Sequence, residues 1–176
     1  MRKFQIAVIG YNKENCTDEA RSVALEVGRE IARSGSVLIC GGLGGVMEAA
    51  CKGAKENNGM TIGIIPQQES SFANEFCDIV ICTGMGFARD LIVATSADGI
   101  IAIGGGVGTL IELAVGYMIK KTMVVVSGSD GVSEMYAGRF LDDRRLTPLI
   151  LANDAYSAVQ LIIDRGKNGD NHQALY

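Results

Sequence analysis

The chain has 176 residues, 48% of them apolar and 20% charged, a composition that excludes a disordered chain and fits one globular domain with a sizeable core. Acidic residues outnumber basic ones by 20 to 16, giving a formal charge of −4, and no basic run exceeds Lys120-Lys121 or Arg144-Arg145, so nucleic acid is disfavoured as the main partner. The five cysteines (Cys16, Cys40, Cys51, Cys77 and Cys82) are scattered without a Cys-x-x-Cys pair and His172 is the only histidine, so reduced thiols and no metal site are expected.

Met1-Arg2-Lys3 opens onto a short apolar run that ends at Gly10, which does not read as a signal peptide, and a cytoplasmic protein is expected. Residues 4–9 form the first strand candidate. A helix is predicted over 18–33, with Thr17 as its cap, Asp18 and Glu19 in its first turn and Ser34-Gly35 as its stop. The apolar run 37–40 then leads into Gly41-Gly42-Leu43-Gly44-Gly45, and a helix follows over 46–56. Strands are predicted at 61–65 and 79–82, and the second runs into Gly84-Met85-Gly86 and a helix over 87–96.

Residues 100–119 hold a single charge, Glu112, and are long enough to span a bilayer. The Gly104-Gly105-Gly106-Val107-Gly108 centre would break such a helix, so a strand at 99–103, a glycine loop and a helix over 110–120 is the better reading. A strand at 123–126 and a helix over 155–165, capped by Asp154, complete the set. Continuous apolar strands alternating with helices predict one α/β domain over 1–166, a doubly wound and mostly parallel sheet with helices on both faces. Residues 167–176 read as a polar, frayed tail.

Ligands of such sheets bind beyond the carboxyl ends of the strands, where three glycine-rich junctions stand. Gly41, Gly42, Gly44 and Gly45 in the first, and Gly105, Gly106, Val107, Gly108 and Thr109 in the second, are candidates to hold a phosphate on backbone N–H groups at a helix start. Neither loop is Gly-x-Gly-x-x-Gly and no Gly-Lys-Ser/Thr occurs, which speaks against nicotinamide dinucleotide binding and excludes a Walker-type phosphate loop. Arg89 sits in the first turn of its helix, against the helix dipole, which calls for a compensating carboxylate or bound anion. Thr109-x-x-Glu112 has capping-box spacing, and this local role for Glu112 stands beside a catalytic one.

Gly-Gly-Leu-Gly-Gly-Val-Met-Glu (41–48), Ala-Arg-Asp (88–90) and Gly-Gly-Gly-Val-Gly-Thr-Leu-Ile-Glu (104–112) resemble the signatures of the Lonely Guy-like Rossmann superfamily. That superfamily includes cytokinin riboside monophosphate phosphoribohydrolases, many once called lysine decarboxylases, with molybdenum-cofactor carrier proteins as a branch and DNA-processing-A proteins as distant kin. The resemblance implies a phosphate on Gly105, Gly106, Gly108 and Thr109, with Glu112 and Arg89 as catalytic residues that open an N-glycosidic bond of a nucleoside 5′-monophosphate. The alternative it implies is a carrier for molybdenum cofactor or a related phosphorylated ligand, with the same loops and no chemistry. No resident cofactor is implied beyond a bound nucleotide or molybdopterin-type ligand. Gly104 stands where the phosphoribohydrolases have Pro, Asp90 follows Arg89 where they have Lys, Met85-Gly86-Phe87-Ala88 lacks their histidine and Glu48 replaces a glycine. These departures resemble the carrier branch. The apolar helix at 87–96 further predicts a homodimer or homotetramer.

Overall fold

In the computed structural model, which describes residues 2–167, every strand pairs in parallel with its neighbours. The strands are β1 (Gln5–Gly10), β2 (Val37–Cys40), β3 (Met60–Ile65), β4 (Ile79–Cys82), β5 (Gly99–Ile103), β6 (Thr122–Val126) and β7 (Leu149–Ala152). The helices are α1 (Asp18–Arg33), α2 (Val46–Glu56), α3 (Arg89–Ser96), α4 (Val107–Met118), α5 (Gly131–Tyr136) and α6 (Ala155–Lys167). Sheet order is β4-β3-β2-β1-β5-β6-β7. The chain therefore winds outward from β1 to β4, returns to the centre at β5 and winds outward the other way. Neighbouring strands β1 and β5, with Ile6 opposite Gly99 and Gly10 opposite Ile103, mark the switch point where a doubly wound sheet opens a crevice.

Alternation along each strand divides the core in two. Ile6, Val8, Leu38, Ile101 and Val124 face α1, α2 and α6. Ala7, Ile9, Ile39, Ile100 and Val125 face Val93 and Ala94 of α3 and Leu113 and Tyr117 of α4. The expected α/β architecture is thus present, as a seven-stranded all-parallel sheet between two helix layers.

Local chemistry explains the helix ends. The Thr17 side chain accepts from the Ala20 N–H at 3.1 Å, and Asp154 accepts from the Ser157 N–H at 2.7 Å. Gly28 and Gly53 let α1 and α2 cross closely: a Cβ on either would lie 1.9 Å from a backbone oxygen of the other helix.

Four differences from the sequence expectation have physical reasons. Strand β7 and helix α5 were not expected: β7 is a four-residue run behind Thr147-Pro148, and α5 a six-residue helix, both below the length at which periodicity shows. Edge strand β4 exposes Ile79 and Ile81, so it lacks the two-sided cover read from its apolar run. Helix α4 starts at Val107 rather than residue 110, which places Gly108 and Thr109 inside its first turn. Lys167 ends α6, and the remainder of the expected tail, 168–176, lies outside the described residues. Among the described residues no helix is long and apolar enough to cross a membrane, and 100–119 divides into β5, loop and α4.

Candidate functional site

A cleft of about 350 Å³ opens at the switch point, beyond the carboxyl ends of β1 and β5. Asn12, just after β1, lines it, and Leu43 and Met47 come from the first glycine loop and the start of α2. Arg89 and Asp90 open α3, with Phe87 in the 3₁₀ turn before it. Gly108, Thr109 and Glu112 line it from the first two turns of α4.

The two main glycine loops differ in what their glycines do. In the first they make room. A Cβ on Gly41 would lie 2.3 Å from Arg89 Nη1, one on Gly42 2.6 Å from Ile65 Cγ2, and one on Gly45 2.4 Å from the Tyr11 carbonyl oxygen. Gly44 packs on Lys13, and its Cβ would lie 2.8 Å from Lys13 Cβ. The Gly42 N–H donates to Cys40 Sγ at 3.3 Å and its carbonyl accepts from Asn74, so this backbone is already engaged. Of the residues expected here, none of the four glycines lines the cleft; the neighbouring Leu43 and Met47 do.

The second loop presents amides. Gly104 donates its N–H to Ser129 Oγ at 3.0 Å, and the carbonyls of Gly104 and Gly105 accept from Ser133 and Val132 at the start of α5. These bonds fasten the loop to the segment after β6. Gly106 caps α4 without a side chain, and the first backbone bond of the helix is Leu110 N–H to Gly106 carbonyl at 3.0 Å. Among the described residues, nothing accepts from the five successive N–H groups of Gly105 to Thr109. Gly108 and Thr109 reach the cleft wall, while Gly106 and Val107 are exposed beside it and Gly105 is buried behind it.

Glu112 is 6% exposed and lies two turns into α4. Because the cap is Gly106 rather than Thr109, the capping-box role is overturned: Glu112 is too far along the helix to reach a capping N–H. Burial pushes its carboxyl up to about 8, the Asp90 carboxylate adds to that, and the Arg89 guanidinium opposes it. The side chain is therefore mostly protonated at neutral pH. Asp90 is likewise raised by burial and held back by Arg89.

Arg89, 8% exposed, pairs with Asp90 at 3.1 Å, Nη1 to Oδ1. That carboxylate supplies compensation at the helix start. It is incomplete, since Arg89 Nε is buried and has no partner among the described residues. Arg89 and Glu112 thus share one cleft with Asp90 between them in charge. Asp90 belongs to the Ala-Arg-Asp motif, and the signal that points to it is its place beside an arginine that needs a counter-charge. Asn12 could have been found from its position after the central strand; Gly86 and Phe87 belong to the third glycine-rich junction, and Pro66 carries no sequence signal for a cleft.

Fold and site together define a Rossmann-like α/β protein with a cleft at the switch point of its sheet. The chain belongs to the SLOG cluster4 family, whose model matches residues 3–159. It is similar in structure to the molybdenum cofactor binding protein of Rippkaea orientalis, at 33% identity and a TM-score of 0.82 over 93% of this chain and 98% of that one. The molybdenum cofactor carrier protein of Chlamydomonas reinhardtii matches at 34% identity and a TM-score of 0.81 over the same shares, 93% and 98%. A cytokinin riboside 5′-monophosphate phosphoribohydrolase of Mycobacterium tuberculosis is 37% identical over 99 residues, 54% of this chain and 52% of that protein. The chain thus spans about half the length of this relative. These similarities place it in the Lonely Guy-like superfamily, on the side of the molybdenum-cofactor carriers.

Proposed function

We propose that the protein binds a phosphorylated heterocycle, a molybdopterin-type ligand or a nucleoside monophosphate, and holds it without cleaving it. The observation that carries this reading is the run of five unpaired amides, Gly105 to Thr109, beside a buried arginine with a free Nε donor. The positive end of α4 favours an anion there, and Gly108 and Thr109 bring that helix start to the cleft wall. Leu43, Met47 and Phe87 offer the apolar wall on which a flat ring would rest. Glu112, mostly protonated at neutral pH, can donate a hydrogen bond to such a ligand. The full-length likeness to two molybdenum-cofactor binding proteins supports the same reading.

A phosphoribohydrolase is the second reading, favoured by the presence of Arg89 and Glu112 in one cleft and by the partial match to that class of enzyme. It requires an ionised Glu112 to orient the ribose or activate water, so its rate would climb as pH rises through about 8.

One assay separates them. The purified chain is mixed with a panel of nucleoside 5′-monophosphates and with isolated molybdopterin, and both melting temperature and free base are followed. A raised melting temperature with no base released is the expected result. Arg89→Lys keeps a charge for Asp90 but lacks the Nε donor, and should weaken binding about ten- to hundredfold, the worth of one charged hydrogen bond. Base release that disappears in Glu112→Gln would overturn the binding reading and establish the enzyme.

A further inference from the structure

Three of the five cysteines, scattered in sequence, converge in the fold. Cys40 ends β2, Cys51 lies within α2 and Cys77 precedes β4. Their sulfurs are 3.4 Å apart for Cys40 and Cys51 and 4.0 Å apart for Cys51 and Cys77, and all three lie within 4.8 Å of one another. Cys40 and Cys51 are buried and Cys77 is half-buried, which gives the cluster one accessible corner. Room for the third sulfur is made by Gly63 of β3, where a Cβ would lie 2.7 Å from Cys77 Sγ. The Gly42 N–H donates to Cys40 Sγ at 3.3 Å, a contact that stabilises a thiolate and orients it.

We propose that Cys40, Cys51 and Cys77 form a three-thiolate site for a soft metal ion, with monovalent copper as the matching ion. Three sulfurs bound about 2.3 Å from one ion in a plane stand about 4.0 Å from each other, so the observed spacing needs adjustments of well under an ångström at each sulfur. Thiolate ligands select Cu(I) and zinc among common metals, and zinc closes a structural site with a fourth ligand. Among the described residues the cluster offers three sulfurs and no histidine or carboxylate, which favours a trigonal Cu(I) site. Each S–H proton leaves to solvent as its metal–sulfur bond forms, and no electron is transferred. Metal here would lock the carbonyl end of β2 to α2 and to the turn before β4. It does not depend on the ligand assigned to the cleft.

The test is a titration of the reduced full chain with Cu(I), under anaerobic conditions and in competition with a coloured Cu(I) chelator, followed by X-ray absorption. One Cu(I) per chain with three sulfur neighbours is expected. Cys77→Ser should lower the affinity more than about a hundredfold, beyond what loss of an outer-shell contact does. Cys51→Ala serves as a second variant where Cys77→Ser fails to fold, and Cys82→Ser, outside the cluster, should bind as the unaltered chain does. Less than one copper per chain, or an affinity indifferent to Cys77→Ser, overturns the proposal. So does a Cys40–Cys51 disulfide that forms with dilute peroxide in a chain that takes up no copper, since the pair is then a redox couple.

Discussion

Glu112 couples the site to pH. Its carboxyl has an ordinary value of 4.5 and is raised to about 8 in the folded chain. Between these values the folded protein holds a proton that the unfolded chain has lost, so the folded state is progressively disfavoured as pH rises from about 4.5 to about 8 and the effect is constant above that. Glu112→Gln removes this dependence. The two melting temperatures should draw together toward pH 4 and separate toward pH 8, with the variant the higher; parallel curves from thermal melts across that range would refute the assignment. Asp90, raised by burial in the same direction, adds a slope that survives in the variant. On the proposed reading a phosphate on the neighbouring amides would raise Glu112 further, so affinity for a phosphorylated ligand should also fall as pH passes about 8. Arg89 illustrates how much of the site was legible: a cation at a helix start demanded a counter-charge, and Asp90 is that counter-charge. The buried state of Glu112 was not legible, because its spacing from Thr109 matched a cap and only the true start of α4 at Val107 rules that out.

Among the elements, α1 and α2 form the tightest pair, and two glycines make it so. Gly28→Ala would gain about 1 kcal/mol of helix propensity in isolation. Against that, its Cβ would lie 1.9 Å from the Ala50 carbonyl oxygen, and backbone at both contacts has to give way. Overpacking of this sort costs about 1–3 kcal/mol and sometimes more. A lowered melting temperature is therefore expected for Gly28→Ala, and a raised one would show that the helices can separate freely. Long elements announced themselves. The helix at 18–33 has its cap, acidic first turn and stop in the right places, and β5 is an unbroken apolar run. Short ones did not: β7 spans four residues and α5 six, too few for a period to emerge, and tertiary pairing of Met123 with Leu149 defines the strand. The glycine loops were found at the correct strand ends, yet their division of labour was hidden. Whether a glycine frees an amide or admits a neighbouring side chain depends on what lies across from it, as Arg89 does from Gly41.

For the molecule as a whole, apolar side chains remain uncovered along α3, α4 and the turn before α3. Phe87 is 88% and Val107 76% exposed, and Met85, Leu91 and Met118 stand open on the same pair of helices or the turn before them. We propose that a second copy of the chain covers this face. Light scattering should give at least twice the monomer mass, and Val107→Asp should return the monomer; a monomeric mass for the unaltered chain over a wide concentration range would remove the proposal. The fastening of the amide loop has a different consequence. Gly104 and Gly105 are held through Ser129, Val132 and Ser133, so the loop that leads into the start of α4 is fastened before any ligand arrives. The facing wall is made of Leu43, Met47 and Phe87, whose unbranched or turn-borne side chains can re-pack. On the proposed reading, such a receptacle would be strict about charge and lenient about shape. Inheritance could then exchange one heterocycle for another by altering a few wall residues while the anion seat stayed as it was, so that a carrier and a hydrolase can descend from one frame without either having to rebuild it.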